Sequence, residues 1–238
     1  SLLGRPDLGE LTMTEMVTHA GRIASAMTIP LICDADTGYG GPFNVQRTVR
    51  EFEKAGIAAI HIEDQVEPKR CAAMGGFQVT DLDTAVTKIR AAVDAKRDPD
   101  FIVIARTDSR PLLGLDGAIE RARAFADAGA DMVYVEMLGN RKEVEIVARS
   151  IKNIPLLFDM FDHPLVPILS SRELEDMGYK IVTVPFTSTL AYAKILNELY
   201  PEIMRAGGAS HLADRRMDLH ELEKVMGLEA LWNNILAL

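Results

Sequence analysis

The sequence has little cysteine, a deficit of positive charge and no long apolar run. Its two cysteines, Cys33 and Cys71, are too few for a disulfide framework and fit the reducing cytoplasm. Lys and Arg number 26 against 35 Asp and Glu, a net charge of −9, which argues against nucleic acid and anionic membranes as partners. No stretch approaches the roughly 20 apolar residues of a membrane span, and no signal peptide is visible. These absences favour a cytoplasmic protein.

Apolar and amphipathic segments alternate along the 238 residues, of which 48 % are hydrophobic. Six apolar runs predict strands at residues 30–33, 58–62, 101–105, 132–135, 155–158 and 180–184. The stretches between and after them predict helices at residues 12–27, 45–55, 82–95, 115–128, 141–151, 171–177, 187–205 and 219–238. Thr12 and Glu15 have the spacing of a capping box at the start of the first helix. Strands that are apolar throughout and alternate with helices indicate a parallel sheet covered on both sides.

Polar residues follow five of the six predicted strands. They are Asp34 and Asp36, Glu63 and Asp64, Arg106 and Asp108, Glu136, and Asp159. In a parallel α/β barrel the carboxyl ends of all strands meet on one face, where the active site is built. A doubly wound sheet collects polar strand ends mainly at one switch point. The pattern therefore favours the barrel.

The predicted strands are two fewer than the eight of a complete barrel, which takes about 250 residues. The chain begins with Ser1 and a loop-like segment, SLLGRPDLGE. We therefore expect a TIM-type (β/α)8 barrel whose first two strands precede this chain; a different six-stranded architecture is the alternative. No boundary rich in Pro or Ser divides the sequence. Residues 1–238 are predicted to be one α/β barrel domain with a C-terminal helical segment at about 187–238.

The clustered carboxylates predict a metal site. Acids that converge on one point repel one another unless a cation neutralises them, and oxygen ligands without His suit Mg²⁺ or Mn²⁺ rather than Zn²⁺. Mg²⁺ keeps several waters, so one carboxylate can bind it directly while others hold its waters. Each acid taken singly could instead cap a helix or pair with a Lys. Clustering of Asp34, Asp36 and Glu63 favours the metal.

Arg106 and the segment at residues 64–80 are the other candidate site features. The guanidinium of Arg106 matches a substrate carboxylate or phosphate, although a structural ion pair with Glu63 or Glu136 is an alternative. Residues 64–80 are longer than most connections between a strand and a helix, and such loops often act as lids. Cys71 follows Lys69 and Arg70, and adjacent cations are expected to lower the pKa of a thiol. An inert loop cysteine is the alternative.

Four motifs in register resemble the isocitrate lyase/phosphoenolpyruvate mutase superfamily. They are DADTGYGG at residues 34–41, IEDQ at 62–65, PKRC at 68–71 and ARTD at 105–108. GRPDLGELT near the start and GLEAL near the end are similar to it too, so the resemblance covers almost the whole chain. Within the superfamily the sequence is most similar to 2-methylisocitrate lyase-like enzymes.

The resemblance implies a Mg²⁺-dependent barrel that forms a homotetramer, with a C-terminal helix exchanged between subunits. It implies that Asp34 binds the metal directly, while Asp36, Glu63 and Asp7 hold metal-bound waters. The substrate-binding residues that it implies are Arg106, Glu136, Asp159, Pro185 and Gly38. Cys71 would protonate an enolate product, and Lys69 and Arg106 would be catalytic with it.

The sequence departs from the superfamily pattern at two places. The lyases have Gly-His after the loop cysteine, where this chain has Ala72 and Ala73. They have Asn in place of Asp159, whose carboxylate would repel a substrate carboxylate unless it is protonated or paired; Asp162 follows closely.

The expected function is therefore a carbon–carbon lyase that cleaves a 2-hydroxy di- or tricarboxylate through an enolate. An oxaloacetate decarboxylase, a phosphonopyruvate mutase or hydrolase, and a non-catalytic relative are the alternatives. The expected partner is a small carboxylate substrate, with neither nucleic acid nor membrane.

Overall fold

The computed structural model describes residues 2–161 and 163–236. Contacts within the chain divide it into two compact units, Ser1–Pro185 and Phe186–Leu238. Each unit is described by itself. The prediction of a single domain stays a prediction.

The first unit is a six-stranded parallel sheet with helices between its strands. The strands are β1 (Ile32–Asp34), β2 (Ala59–Glu63), β3 (Ile102–Thr107), β4 (Met132–Val135), β5 (Leu156–Asp159) and β6 (Ile181–Thr183). Their order in the sheet follows the order in the chain, from β1 to β6. A doubly wound sheet reverses its strand order at the switch point, so the consecutive order excludes that architecture. The parallel α/β prediction is confirmed; closure into an eight-stranded barrel stays a prediction.

The helices of the first unit lie close to their predicted positions. They are α1 (Met13–Ala26), α2 (Pro42–Lys54), α3 (Leu82–Ala95), α4 (Arg110–Asp127), α5 (Arg141–Ser150) and α6 (Ser171–Met177). The capping box of Thr12 and Glu15 is present at the start of α1. Helix α4 begins five residues before its prediction because a kink at Gly114, with φ +73°, joins an extra turn to it.

The two faces of the sheet pack differently. One face packs on the helices in a large apolar cluster that includes Ile60, Val103, Val133 and Phe158. The other face carries a small cluster of Ala59, Ile104, Met132, Tyr134 and Leu157. Side chains alternate between the faces of a strand, which is why neighbouring residues join different clusters.

The second unit is helical. It contains α7 (Thr187–Ala206), a 3₁₀ helix (Ser210–Arg215), α8 (Leu219–Val225) and α9 (Leu228–Leu236). The single helix predicted for residues 219–238 is wrong, because Gly227, with φ +78°, separates α8 from α9; residues 237–238 lie outside the described residues. Within the described part of the chain, no helix is both long and apolar enough to cross a membrane.

Candidate active site

The carboxyl ends of the parallel strands bring the predicted site residues to one edge of the sheet. Asp34, Glu63 and Asp159 are the last residues of β1, β2 and β5, and Glu136 directly follows β4. Glu63 is the register partner of Arg106 on β3. The predicted convergence of strand-end acids around an arginine is therefore what the strand register produces.

The turn after β1 places two carboxylates next to each other. The backbone N–H of Asp36 donates to Asp34 Oδ1 at 2.8 Å, and Asp36 itself has a left-handed φ of +47°. Gly38 has a φ of +83°, and a Cβ there would lie 2.6 Å from Val45 Cγ2. The turn therefore requires glycine for packing and backbone reasons. A role of Gly38 in substrate binding stays a prediction.

Lys69 supplies positive charge to these acids. Its side chain is buried, and its Nζ lies 2.5 Å from Asp36 Oδ1 and 3.0 Å from Asp7 Oδ2. Burial lowers the pKa of Lys69, but the charges of Asp34, Glu63 and Asp36 outweigh it and the pKa is raised. The ammonium therefore stays charged between the carboxylates.

The two acids of the turn have pKa values that are pushed apart. Burial opposes ionisation of Asp34, yet the charges of His61, Lys69 and Arg106 lower its pKa to about 2. Burial, followed by the charge of Asp34, raises the pKa of Asp36 to about 6. Opposed environments of this kind are typical of functional carboxylate pairs.

Glu63 has an incomplete set of partners. Its Oε2 lies 3.6 Å from Arg106 Nε, while its buried Oε1 has no hydrogen-bond partner among the described residues. Burial raises the pKa of Glu63 well above its ordinary value, and the charges of Asp108 and Asp34 add to this. A buried carboxylate oxygen without a partner is unfavourable and needs a donor or a cation.

Arg106 is held on one side and available on the other. Its Nε donates to Asp108 Oδ1 at 2.8 Å, and its guanidinium carbon lies 5.1 Å from the centre of the Tyr134 ring. Among the described residues no hydrogen bond of its two terminal nitrogens is found. Those nitrogens are the donors that bind a carboxylate with two parallel hydrogen bonds. The predicted ion pair with Glu63 is present at 3.6 Å, and Asp108 is a second, closer partner that the sequence reasoning missed.

The donor set fits a divalent cation. Asp34, Asp36 and Glu63 offer carboxylate oxygens, the ligands that Mg²⁺ prefers, and Glu63 Oε1 is a buried oxygen without a partner. Among residues 2–161 and 163–236, no three His, Cys, Asp or Glu side chains are arranged to ligate one ion directly. The prediction has one direct ligand, Asp34, with the others acting through waters. The assignment of Asp34, Asp36, Glu63 and Asp7 to the metal therefore stays a prediction.

Two further acids complete the edge of the sheet. The hydroxyl of Tyr134 bonds Glu136 Oε2, and burial raises the pKa of Glu136 to about 8. The Thr183 hydroxyl, from its register partner position on β6, bonds Asp159 Oδ1, and burial raises the pKa of Asp159. Both carboxyls therefore favour the protonated form more than exposed acids do.

Cys71 directly precedes a short 3₁₀ helix, Ala72–Met74. The backbone N–H of Cys71 donates to the backbone oxygen of Asp7 at 3.2 Å. Burial raises the pKa of Cys71, and the charges of Asp7 and Glu136 add to it. The expectation of a lowered thiol pKa is wrong, because burial raises this pKa more than the Arg106 charge lowers it, and the ammonium of Lys69 is paired with Asp36 and Asp7. The charge of Arg106 lowers the pKa of the thiol and that of Glu136 raises it.

A buried network behind Arg106 was not predicted. Asp64 Oδ2 accepts from Thr107 Oγ1 at 2.6 Å and from Arg121 Nη1 at 3.1 Å, and Asp64 Oδ1 accepts from the Asp108 N–H at 2.9 Å. Arg121 also donates to Thr80 O. The one sequence signal is that Arg121 falls on the buried face of α4, among small and apolar residues. A buried Arg needs an acidic partner, but the sequence does not say which.

Pro185 is the one remaining predicted site residue that the structure describes. Pro185 is half-buried two residues after β6 and ends the first unit, and its place in a substrate pocket stays a prediction. Asp162 lies outside the described residues.

A singly wound parallel sheet with an acidic, arginine-centred cluster at its strand ends is the arrangement of an α/β enzyme site. The phosphoenolpyruvate phosphomutase family matches residues 1–204. The chain therefore belongs to this family, within the isocitrate lyase/phosphoenolpyruvate mutase superfamily.

Two curated relatives are lyases. 2,3-Dimethylmalate lyase of Eubacterium barkeri is 41 % identical over 231 residues, covering 97 % of this chain and 80 % of its own. 2-Methylisocitrate lyase of Shewanella oneidensis is 37 % identical over 227 residues, which cover 95 % of this chain and 77 % of that enzyme. The prediction of a carbon–carbon lyase is confirmed at this level, with the subclass open.

Solved structures give the same superfamily. A crystal structure of 2,3-dimethylmalate lyase matches with a TM-score of 0.92 and 38 % identity, over 98 % of this chain and 78 % of that one. The structure of oxaloacetate acetylhydrolase in complex with 3,3-difluorooxalacetate matches with a TM-score of 0.89 and 35 % identity, over 98 % of this chain and 79 % of that one. The structure of phosphonopyruvate hydrolase in complex with oxalate and Mg²⁺ matches with a TM-score of 0.84 and 28 % identity, over 95 % of this chain and 78 % of that one.

Proposed function

We propose that this chain is a Mg²⁺-dependent lyase that cleaves the carbon–carbon bond of a 2-hydroxy dicarboxylate of the 2,3-dimethylmalate type. The observation that carries the proposal is the environment of Arg106. Asp108 accepts a hydrogen bond from its Nε, and no hydrogen bond of its two terminal nitrogens is found among the described residues, so these nitrogens can bind a carboxylate beside Asp34, Asp36 and Glu63. The named lyases among the relatives support the reaction class.

The proposed chemistry uses residues that the sheet brings together. Arg106 binds a substrate carboxylate, and Lys69 balances the charge of Asp36 and Asp7. A carboxylate at the strand ends takes the proton of the substrate hydroxyl, the hydroxyl carbon becomes the carbonyl of a 2-keto acid, and the electron pair of the broken carbon–carbon bond leaves with the other fragment as an enolate. A divalent cation, held by Asp34 with Asp36, Glu63 and Asp7, supplies when bound the positive charge that stabilises developing negative charge on oxygen.

Cys71 is the proposed acid that returns a proton to the carbon of the enolate. An acid must hold its proton at neutral pH before it delivers it, and the raised pKa of this thiol meets that requirement. The loop that carries Cys71 is closed at its base by the Gln65–Val79 bridge and by the Thr80 N–H bonding Asp64 O. This geometry supports a lid that presents the thiol.

Asp159 supports a dicarboxylate over a tricarboxylate. Its carboxyl occupies the end of β5, where a third substrate carboxylate would meet a like charge or a protonated acid. The relatives named 2-methylisocitrate lyase act, by their name, on a tricarboxylate. We therefore expect this chain to favour 2,3-dimethylmalate.

A substrate panel tests the proposal. With Mg²⁺ present, 2,3-dimethylmalate should release pyruvate faster than 2-methylisocitrate does. Release of glyoxylate from isocitrate should be slowest, and EDTA should abolish all of these reactions. Turnover of oxaloacetate or phosphonopyruvate, retained in Cys71→Ser, would contradict the lyase proposal. Full activity in EDTA would remove the metal from it.

A cleavage of oxaloacetate is the second candidate function. The likeness to oxaloacetate acetylhydrolase favours it, and Ala72 and Ala73 depart from the Gly-His that the lyases have after the cysteine. Release of oxalate and acetate from oxaloacetate would identify this reaction and separate it from decarboxylation, which releases carbon dioxide.

We also propose a homotetramer in the cytoplasm, with exchange of the C-terminal helical segment. No residue of α7 is buried within the chain, and Leu190, Tyr192, Tyr200 and Met204 are exposed, which supports an apolar contact with another subunit. Light scattering should give four times the chain mass; a monomer would contradict the assembly.

A further inference from the structure

Gln65 is a fully buried amide at the first turn after β2, and its side chain is 1 % exposed. Its Nε2 donates to Arg70 O at 2.9 Å and to Asp108 Oδ2 at 2.5 Å. Its Oε1 accepts from the Arg70 N–H at 3.0 Å. One side chain therefore binds both backbone polar groups of Arg70, as a neighbouring β-strand would.

These bonds connect two parts of the proposed site. Asp108 binds Gln65 through Oδ2 and Arg106 Nε through Oδ1. Arg70 directly precedes Cys71, so fixing the Arg70 backbone fixes where the chain of Cys71 begins. The path from the guanidinium to the thiol-bearing loop thus contains one carboxylate and one amide.

Only an amide of this length satisfies the three bonds. A carboxylate has no N–H to donate, and at this position it would face Asp108 as a like charge. An apolar side chain of similar size would leave the Arg70 N–H and C=O without these partners in a buried place.

We propose that Gln65 is a positioning residue that sets the distance between the Cys71 thiol and the Arg106 guanidinium by joining Arg70 to Asp108. The inference rests on the proposed function for the roles of Cys71 and Arg106. The bonds themselves are independent of it.

Alkylation of Cys71 by iodoacetamide measures the position of the loop without any substrate. The measurement is made in the Cys33→Ser background, so that one thiol remains. Gln65→Glu should raise the alkylation rate by roughly tenfold or more, because two of the three bonds of the loop base lose their N–H donor. Gln78→Glu is the matched control, since Gln78 is exposed in the same loop, and its rate should equal that of the parent.

A reversed pair separates positioning from a general loss of structure. Adding Asp108→Asn to Gln65→Glu supplies an amide donor at position 108 for the carboxylate at position 65, and the oxygen at position 108 still accepts from Arg106. This double variant should recover much of the slow alkylation, although the bond to Arg70 O stays broken. If the double variant is alkylated more slowly than Gln65→Glu while the two melt at similar temperatures, the restored bond and not general stability controls the rate, which supports positioning.

Turnover supplies the second readout. In the Gln65→Glu variant kcat should fall by about 100-fold with KM changed by less than about threefold, because Arg106 remains held by Asp108 and only the thiol is displaced. If the wild type cleaves no panel substrate, the proposed function fails while the alkylation result still decides the role of Gln65. Alkylation of the folded Gln65→Glu protein at the parental rate, or no recovery in the double variant, would overturn the proposal. So would failure of every Gln65 variant, including Gln65→Met, to fold, since the residue would then serve folding.

Discussion

Two neighbouring groups of buried charges at the strand ends differ in how completely their hydrogen bonds are satisfied, although burial raises the pKa of Asp64 in the first group as it does in the second. The Asp64 network, which comprises Asp64, Gln65, Arg106, Thr107, Asp108 and Arg121, is densely bonded, and each of its acids accepts from several donors. The acidic cluster comprises Asp34, Asp36, Glu63, Glu136 and Asp159; it holds an unpartnered carboxylate oxygen, and burial raises the pKa of four of its five acids.

The difference separates structural from functional use of charge. Paired buried charges whose hydrogen bonds are satisfied hold backbone and side chains in place. Carboxylates crowded without enough donors reduce stability, and such strain is retained where a ligand or substrate relieves it. The Asp64 network therefore positions Arg106, while the acidic cluster is prepared for a cation and a substrate.

The largest effect is expected from breaking the Asp64 network. Arg121→Met removes the charge that faces Asp64 and the donor to Thr80 O, which should lower the free energy of unfolding by about 3 kcal/mol. Urea denaturation measures it. Arg123→Met, on the exposed face of the same helix, is the control and should change stability by less than about 1 kcal/mol. Equal losses in the two variants would contradict the structural role of the network.

Glu136 should make stability depend on pH. Its pKa is raised from 4.5 to about 8, so the folded protein binds this proton across a range where the unfolded chain has lost it. Stability relative to Glu136→Gln should therefore fall as the pH rises from about 4.5 to 8 and stay level above 8. Melting temperatures of both proteins at pH 5, 6.5, 8 and 9 measure the difference. A constant difference would show that Glu136 ionises normally.

Cys71→Ser should lower kcat by about 100-fold, since a hydroxyl is a much weaker acid than a thiol, with little change in melting temperature. The measurement is turnover of 2,3-dimethylmalate with Mg²⁺. Cys33→Ser is the matched control, because Cys33 lies inside β1 and packs on the apolar core. If both variants kept full activity, the thiol would have no part in the reaction.

Glu63→Gln should separate stability from activity in the acidic cluster. Because burial raises the pKa of Glu63, a neutral amide should stabilise the metal-free protein by about 1 kcal/mol while weakening Mg²⁺ binding and turnover. Denaturation in EDTA and calorimetric titration with Mg²⁺ measure the two effects. Loss of stability in EDTA would mean that Glu63 belongs with the paired charges.

The smallest effect is expected at the surface. Arg141 pairs with Glu145 and Glu173 in exposed positions, so Arg141→Ala should change the free energy of unfolding by less than about 0.5 kcal/mol and leave turnover unchanged. A larger loss, measured by the same urea denaturation, would show that exposed pairs contribute as much as buried ones here.

The sequence by itself determined the parallel α/β fold and the positions of its strands. All six strands lie where apolar runs predicted them, because a strand buried on both faces must be apolar along its length. Strand ends in a parallel sheet share one edge, so Asp34, Glu63, Arg106 and Asp159 could be grouped from their positions alone. Helix boundaries set by capping, as at Thr12, were equally readable.

Only the tertiary structure decided how those charges are paired. Lys69 turns toward Asp36 and Asp7 instead of activating Cys71, Asp108 rather than Glu63 or Glu136 takes the hydrogen bond of Arg106, and Arg121 reaches Asp64 from a helix 57 residues away. Pairing and burial depend on distances between segments that are remote in sequence. The pKa of one residue type is therefore raised at one place and lowered at another, according to its neighbours. The sequence therefore fixes which charges meet at this edge, and the packing of the loop and helices fixes what each of them does.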